Sequence, residues 1–240
     1  MEALAPLALA LRERLGAARV VLLGSRQERP LAKEFLSAAN RGLLTGLEDK
    51  VGRTSWEELF DEVSGLDLLL TPDTGSMHLA ASLGTPVMGT FLSSAWCWET
   101  GPYGEGHQIL QSVADCLPCL ETETCRRNVA CLEPFRSREL LNALAGKKPW
   151  PGDLPLLLLE SRLDELGVTY DTASGPPDAW AAGRADWRAL MAEYLGVRPA
   201  KVLNQPELAE ILFQERDWLA PGPEKFLNFQ DTDLAGAPCE

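Results

Sequence analysis

Between residues 3 and 91 the chain alternates short apolar runs with stretches whose apolar positions recur every three or four residues. Residues 3–15 have helical spacing. Residues 19–23 form a short β run that ends at Gly24-Ser25. Residues 28–40 are helical again, and 42–47 hold a short strand. Ser55-Trp56-Glu57-Glu58 has the capping-box pattern, in which Ser55 takes an orphan amide and Glu58 reaches back, so a helix is predicted over 56–64. The apolar run Leu66 to Leu70 reads as a buried strand, and a helix over 75–83 follows directly. Gly84 ends that helix as the residue past its last turn, and Pro86 prevents continuation. A further strand runs over 86–91. This alternation predicts the α/β class: a parallel sheet with helices on both faces and right-handed crossovers.

The pattern changes after Phe91. Residues 92–106 read as a loop, 107–111 as a strand, and 137–145 as a helix. The stretch Gly146-Lys147-Lys148-Pro149-Trp150-Pro151-Gly152 marks a boundary. The expected division is an α/β domain over 1–149 and a mainly helical extension over 150–240. Within the extension, 155–166, 178–195 and 206–218 read as helices.

The most informative stretch is Thr71-Pro72-Asp73-Thr74-Gly75-Ser76-Met77-His78. It sets a tight polar turn at the C-terminal end of a strand and opens a helix straight after it. Ligands bind there in open α/β sheets, because the first helical amides have no backbone partner and the helix dipole favours negative charge. Phosphate or diphosphate chemistry follows. Gly75 lets a ligand approach the backbone, and Thr74 offers a hydroxyl and an amide. Asp73, a carboxylate that a diphosphate would repel, either caps the helix or accepts hydrogen bonds from sugar hydroxyls. His78 lies in the first helical turn, where an imidazole donates to phosphate or sugar oxygens, or simply packs at the boundary of the core. Glu28 follows the first strand and its Gly24-Ser25 turn. It either chelates a ribose diol or sits solvated in the first turn of a helix.

Charge narrows the partners. The chain carries net −13, which argues against nucleic acid. Residues 151–240 hold −9 of this and residues 1–150 only −4, so the half with the polar turn repels an anion less. No apolar run is long enough to span a bilayer, and the start of the chain reads as an amphipathic helix rather than a signal peptide. A cytoplasmic protein is expected. Stable disulfides are then not the default for Cys116, Cys119, Cys125 and Cys131, four thiols within sixteen residues. Structural zinc is one expectation for them, and reduced or reversibly oxidised thiols the other.

Taken together, Asp73-Thr74-Gly75-Ser76-Met77-His78-Leu79-Ala80-Ala81 and Leu83-Gly84-Thr85-Pro86-Val87 resemble glycosyltransferase family 9, the ADP-heptose:lipopolysaccharide heptosyltransferases. Leu22-Leu23-Gly24-Ser25 with Glu28, Gly52-Arg53-Thr54-Ser55, Gly101-Pro102-Tyr103-Gly104 and the cysteine spacing also fit. The resemblance covers about residues 1–146. It implies two Rossmann-like domains facing across a cleft (the GT-B architecture), of which this chain is the C-terminal, donor-binding half. It implies that Glu28 holds the ribose, Thr54 lies against the base, and Asp73, Thr74, Gly75 and His78 hold diphosphate and sugar. The implied reaction is inverting transfer from an ADP-heptose-like donor to a lipopolysaccharide-core or similar glycan acceptor, with no cofactor required. The expected place is the cytoplasm, at the inner face of the membrane if peripheral to it. The chain departs from the family pattern at Leu92-Ser93, where Gly-Pro is usual. The domain's first strand and the acceptor domain with its catalytic carboxylate are expected to lie outside this sequence, so no catalytic residue is assigned. A non-catalytic nucleotide-sugar-binding module, or half of a split enzyme docking on a separate acceptor subunit, is the rival reading.

Overall fold

The computed structural model describes residues 3–16, 19–41, 46–92, 95–114, 116, 119 and 124–197. The expected strand at 42–47 falls partly outside them, and the expected helix at 206–218 wholly so.

The order of elements is α1 (Leu4–Leu15), β1 (Val20–Leu22), α2 (Arg29–Arg41), β2 (Leu47–Asp49), α3 (Trp56–Ser64), β3 (Leu69–Pro72) and α4 (Gly75–Ser82). There follow β4 (Val87–Phe91), α5 (Cys97–Thr100), β5 (Gln108–Ser112), α6 (Arg138–Leu144), β6 (Leu156–Asp164), β7 (Gly167–Ser174) and α7 (Ala181–Tyr194). Tight 3-10 turns occupy Arg26–Glu28 and Ala130–Arg136. The chain divides into two compact units, residues 1–164 with 168–177, and residues 165–167 with 178–240.

In the first unit β3, β4 and β5 pair in parallel, with Leu70 opposite Met88 and Gly89 opposite Ile109. β6 then joins the far side of β5 in the opposite direction, Leu110 facing Leu158, and β7 completes a five-stranded sheet. The result is a mixed α/β fold with a mostly parallel, Rossmann-like sheet between helices. The helix predicted over 155–166 is corrected to β6. Pro155 is followed by four leucines, and an apolar run of that length fits a buried strand as well as a helix. The sheet thus continues beyond the boundary expected near residue 150.

Period-two alternation sorts the core into two layers. Val87, Phe91, Ile109, Leu157 and Leu159 face α3 and α4 and pack with Val63, Met77 and Ala80. Met88, Leu110 and Leu156 face the opposite side and pack with Leu7 and Leu11 of α1 and Leu140 and Leu144 of α6. β4 is buried along its whole length, as a strand covered on both faces must be.

β1 and β2 form a separate parallel pair. Arg19 joins it to α3 by pairing with Glu48 (2.8 Å) and Glu62 (2.7 Å), and Lys50 also pairs with Glu62. Among the described residues no strand lies between β1 and β3. Their facing edges, Val20–Leu23 and Leu68–Pro72, line a cavity of about 780 Å³.

In the second unit the approach to α7 is fixed by Asp178. Its carboxylate accepts from the Trp180 amide at 3.1 Å and pairs with Arg184. The helix matches the one predicted over 178–195. No helix among the described residues is long and apolar enough to cross a membrane.

Candidate functional site

The site is built around the start of α4. Thr74 is its N-cap residue in extended conformation, yet its side chain caps no amide. Its hydroxyl stands 3.1 Å from that of Thr71, which itself donates to the Pro72 carbonyl at 2.9 Å. In that pair Thr74 is therefore the donor and Thr71 the acceptor. The Met77 amide closes the first turn onto the Thr74 carbonyl at 3.0 Å. The amides of Gly75 and Ser76 have no helical partner, as at any helix start, and among the described residues no side chain takes them. Gly75 is exposed, and a Cβ placed there would meet nothing within 4 Å. The turn is open to a ligand.

Thr74, Gly75 and Ser76 line the cavity between β1 and β3. So do Gly24, Ser25, Arg26 and Glu28 from the end of β1, and Thr54 and Ser55 from the approach to α3. Three turns far apart in sequence thus meet at one mouth. Gly52 makes the meeting feasible. Its φ is +63°, its amide donates to the Gly24 carbonyl at 2.8 Å, and a Cβ there would come within 2.7 Å of the Arg26 Cα. Only a glycine allows the two turns to touch so closely, and this contact joins the turn after β1 to the approach to α3.

Glu28 lies at the cavity, as the sequence predicts, but one of its oxygens is engaged. Oε2 accepts from the Ser25 amide at 2.7 Å, completing a capping box on the 3-10 turn. The capping role and a place at the cavity therefore coexist in one side chain. Asp73 and His78 do not line the cavity; they stand next to each other, His78 Nε2 3.9 Å from Asp73 Oδ1, with the imidazole exposed. Asp73 does not cap α4. Its Oδ2 accepts a 2.6 Å hydrogen bond from the Thr100 hydroxyl at the end of α5.

Two contributors escape the sequence reading. Arg26 lines the mouth next to Glu28 and brings positive charge to it; its place just after the Gly24-Ser25 turn was the available signal. Thr100 fixes Asp73 from 27 residues away, and nothing local in the sequence announces it.

Among the described residues the four cysteines of the cluster form no disulfide, Cys131 being buried and Cys125 exposed. Cys119 Sγ donates to the Cys116 carbonyl at 3.5 Å, and Cys125 Sγ accepts from the Val129 amide at 3.2 Å. Burial pushes the Cys119 thiol up, and so does the proximity of Cys116, Cys131 and Cys125. The two backbone amides of Val129 and Arg127 hold the Cys125 thiol down. Among the described residues no three His, Cys, Asp or Glu side chains are gathered so as to hold an ion.

A mostly parallel α/β sheet with a helix starting directly after the C-terminal end of β3 is a Rossmann-like arrangement. The model of Glycosyltransferase family 9 (heptosyltransferase) matches residues 2–130, and the chain belongs to that family. It is thus a glycosyltransferase of the heptosyltransferase family, a class that works between a nucleotide-sugar donor and a glycan acceptor. No curated protein and no solved structure matches the chain.

Proposed function

We propose that this chain is the donor-binding half of a GT-B heptosyltransferase. It holds a nucleoside-diphosphate sugar, ADP-heptose or a close relative, for inverting transfer to a lipopolysaccharide-core or similar glycan acceptor in the cytoplasm. One observation carries the reading: Gly75 and Ser76, the first two residues of α4, line the same cavity as Glu28 and Thr54. In the proposed complex the diphosphate takes their amides and the Thr74 amide, in the field of the α4 dipole. Glu28, through the oxygen not engaged with Ser25, accepts from the ribose diol. Thr54 lies against the base, and Asp73 and His78 reach the sugar side. As the acceptor oxygen displaces the nucleoside diphosphate, the same amides stabilise the leaving charge.

Titration with ADP and with ADP-heptose tests this. Both ligands are expected to bind, and Glu28→Ala and His78→Ala to weaken ADP-heptose. No binding of either at millimolar concentration would remove the reading.

A non-catalytic binding module, or half of a split enzyme that docks on a separate acceptor subunit, is the second reading. It is supported by the engagement of both carboxylates at the site, Glu28 with Ser25 and Asp73 with Thr100, since transfer needs a base within reach of the acceptor. Product formed by this chain alone from ADP-heptose and a lipopolysaccharide-core acceptor would decide against it.

For Cys116, Cys119, Cys125 and Cys131 we propose a structural zinc ion, on the ground that four thiols lie within sixteen residues of the sequence and thiolates are favoured zinc ligands. Closing a tetrahedral site would require them to draw together from the arrangement described. About one equivalent of zinc is expected in protein purified without chelator, with a fall in Tm once it is stripped. A metal-free protein of unchanged Tm would identify the cluster as plain thiols.

A further inference from the structure

We propose that Tyr170, on β7, is a positioning residue for the donor site: it anchors the loop whose Thr100 keeps the Asp73 carboxylate away from the open amides of α4. The inference rests on the donor-site reading above, and it concerns a part of the chain outside the family segment, which ends at residue 130.

The contacts form a continuous path. The buried Tyr170 hydroxyl donates to the Pro102 carbonyl at 2.9 Å. The ring end fills the space over Gly101, where a Cβ would come within 2.2 Å of the Tyr170 hydroxyl oxygen and 2.4 Å of the Cys97 carbonyl oxygen. The Gly101 amide in turn donates to the Cys97 carbonyl at 2.8 Å, closing the end of α5. The residue before it, Thr100, donates its hydroxyl to Asp73 Oδ2 at 2.6 Å. Asp73 immediately precedes Thr74, so its carboxylate is the nearest anion along the chain to the start of α4. Burial, with the nearby Cys97 and Asp73, raises the Tyr170 pKa and keeps the phenol a neutral donor.

The physical consequence concerns competition. A carboxylate one residue before an N-cap is attracted to the unpaired helical amides by the same dipole that attracts a phosphate. Released from Thr100, Asp73 would fold onto the Gly75 and Ser76 amides and both occupy and repel the diphosphate site. Bound to Thr100, it leaves them free. The hairpin β6–β7 therefore does more than extend the sheet. It braces α5 at the distance that holds the competing anion aside.

ADP binding to the full chain, followed by calorimetry, provides the test, because ADP has the diphosphate and lacks the sugar. Tyr170→Phe and Thr100→Val are each expected to weaken ADP roughly two- to tenfold, the span of one lost hydrogen bond. The double variant should be no weaker than the weaker single, since both act through one path. Adding Asp73→Ala to Thr100→Val should restore most of the affinity, because no side chain is then left to take the amides, a rescue that mere loss of packing would not show. Thr100 is exposed, so its variant reports even if Tyr170→Phe folds poorly. If the unaltered chain binds ADP and neither Tyr170→Phe nor Thr100→Val changes the affinity, the brace is wrong and the donor site stands. Additive losses without rescue by Asp73→Ala also overturn the brace. If the unaltered chain does not bind ADP at all, the donor-site reading falls first and the brace with it.

Discussion

Gly75 separates binding from stability more cleanly than any other residue of the site. It opens a helix, its φ lies outside the left-handed region, and a Cβ would point into empty space. Gly75→Ala should therefore leave Tm unchanged or raise it, by the equivalent of about 0.4–1 kcal/mol. The same methyl group would stand over the amides that face the cavity, so ADP affinity should fall. A thermal melt and a titration on one variant check both halves. Gly52 contrasts with it. There a Cβ would meet the backbone of Arg26, and φ is already positive, so any side chain distorts the junction between the turn after β1 and the approach to α3. Both glycines stand in the motifs that resemble the family, and only the structure shows how different their roles are.

At the scale of elements, the helix starts were legible because caps are local. Ser55 accepts from the Glu58 amide at 3.1 Å, and Glu58 Oε2 accepts from the Ser55 amide at 2.7 Å. Ser55→Ala should cost about 1 kcal/mol in chemical denaturation, with the m-value unchanged. The strands β3 and β4 were equally legible, being short apolar runs with a breaker on each side. β6 was not. Leu156 to Leu159 carry no alternation, since Leu157 and Leu159 enter one core and Leu156 the other, and a doubly buried strand looks like a buried helix in sequence. Signals were nevertheless present in the Glu165-Leu166 turn and in Val168-Thr169-Tyr170, whose β-branched and aromatic residues favour a strand. At the site, Thr74, Gly75, Glu28 and Thr54 could be read because each lies at a strand-to-helix junction. Thr100 could not, since its partner is set by how α5 packs rather than by any local pattern.

For the molecule as a whole, pH acts through a buried histidine. His107 lies in the loop before β5, with its Nδ1 accepting from the Val87 amide at 3.3 Å. Its own amide donates to Ser161 Oγ at 2.8 Å, so one residue ties β4, β5 and β6 together. Burial lowers its pKa, against a smaller opposing effect of the Tyr103 backbone. The folded protein thus keeps the ring neutral where the unfolded chain would protonate it. Stability from this group is complete above the unfolded value of about 6.5 and falls as pH drops below it, by at most about 1.4 kcal/mol per pH unit. His107→Asn keeps an acceptor for Val87 and lacks the titration, so its melting temperature should fall less on acidification over that range. Equal slopes for the two proteins would show that the ring carries no such linkage.

The direction of β6 has a consequence for how this architecture changes over generations. Parallel neighbours can be added only together with a crossover that spans the sheet, so inserting one rewires the fold. An antiparallel ribbon such as β6–β7 needs only a tight bend between its own two strands, and it can be gained, trimmed or exchanged while the threading of every earlier segment is preserved. That border is where descendants of this chain are freest to experiment, and through Tyr170 such tinkering would be felt at the opposite end of the sheet.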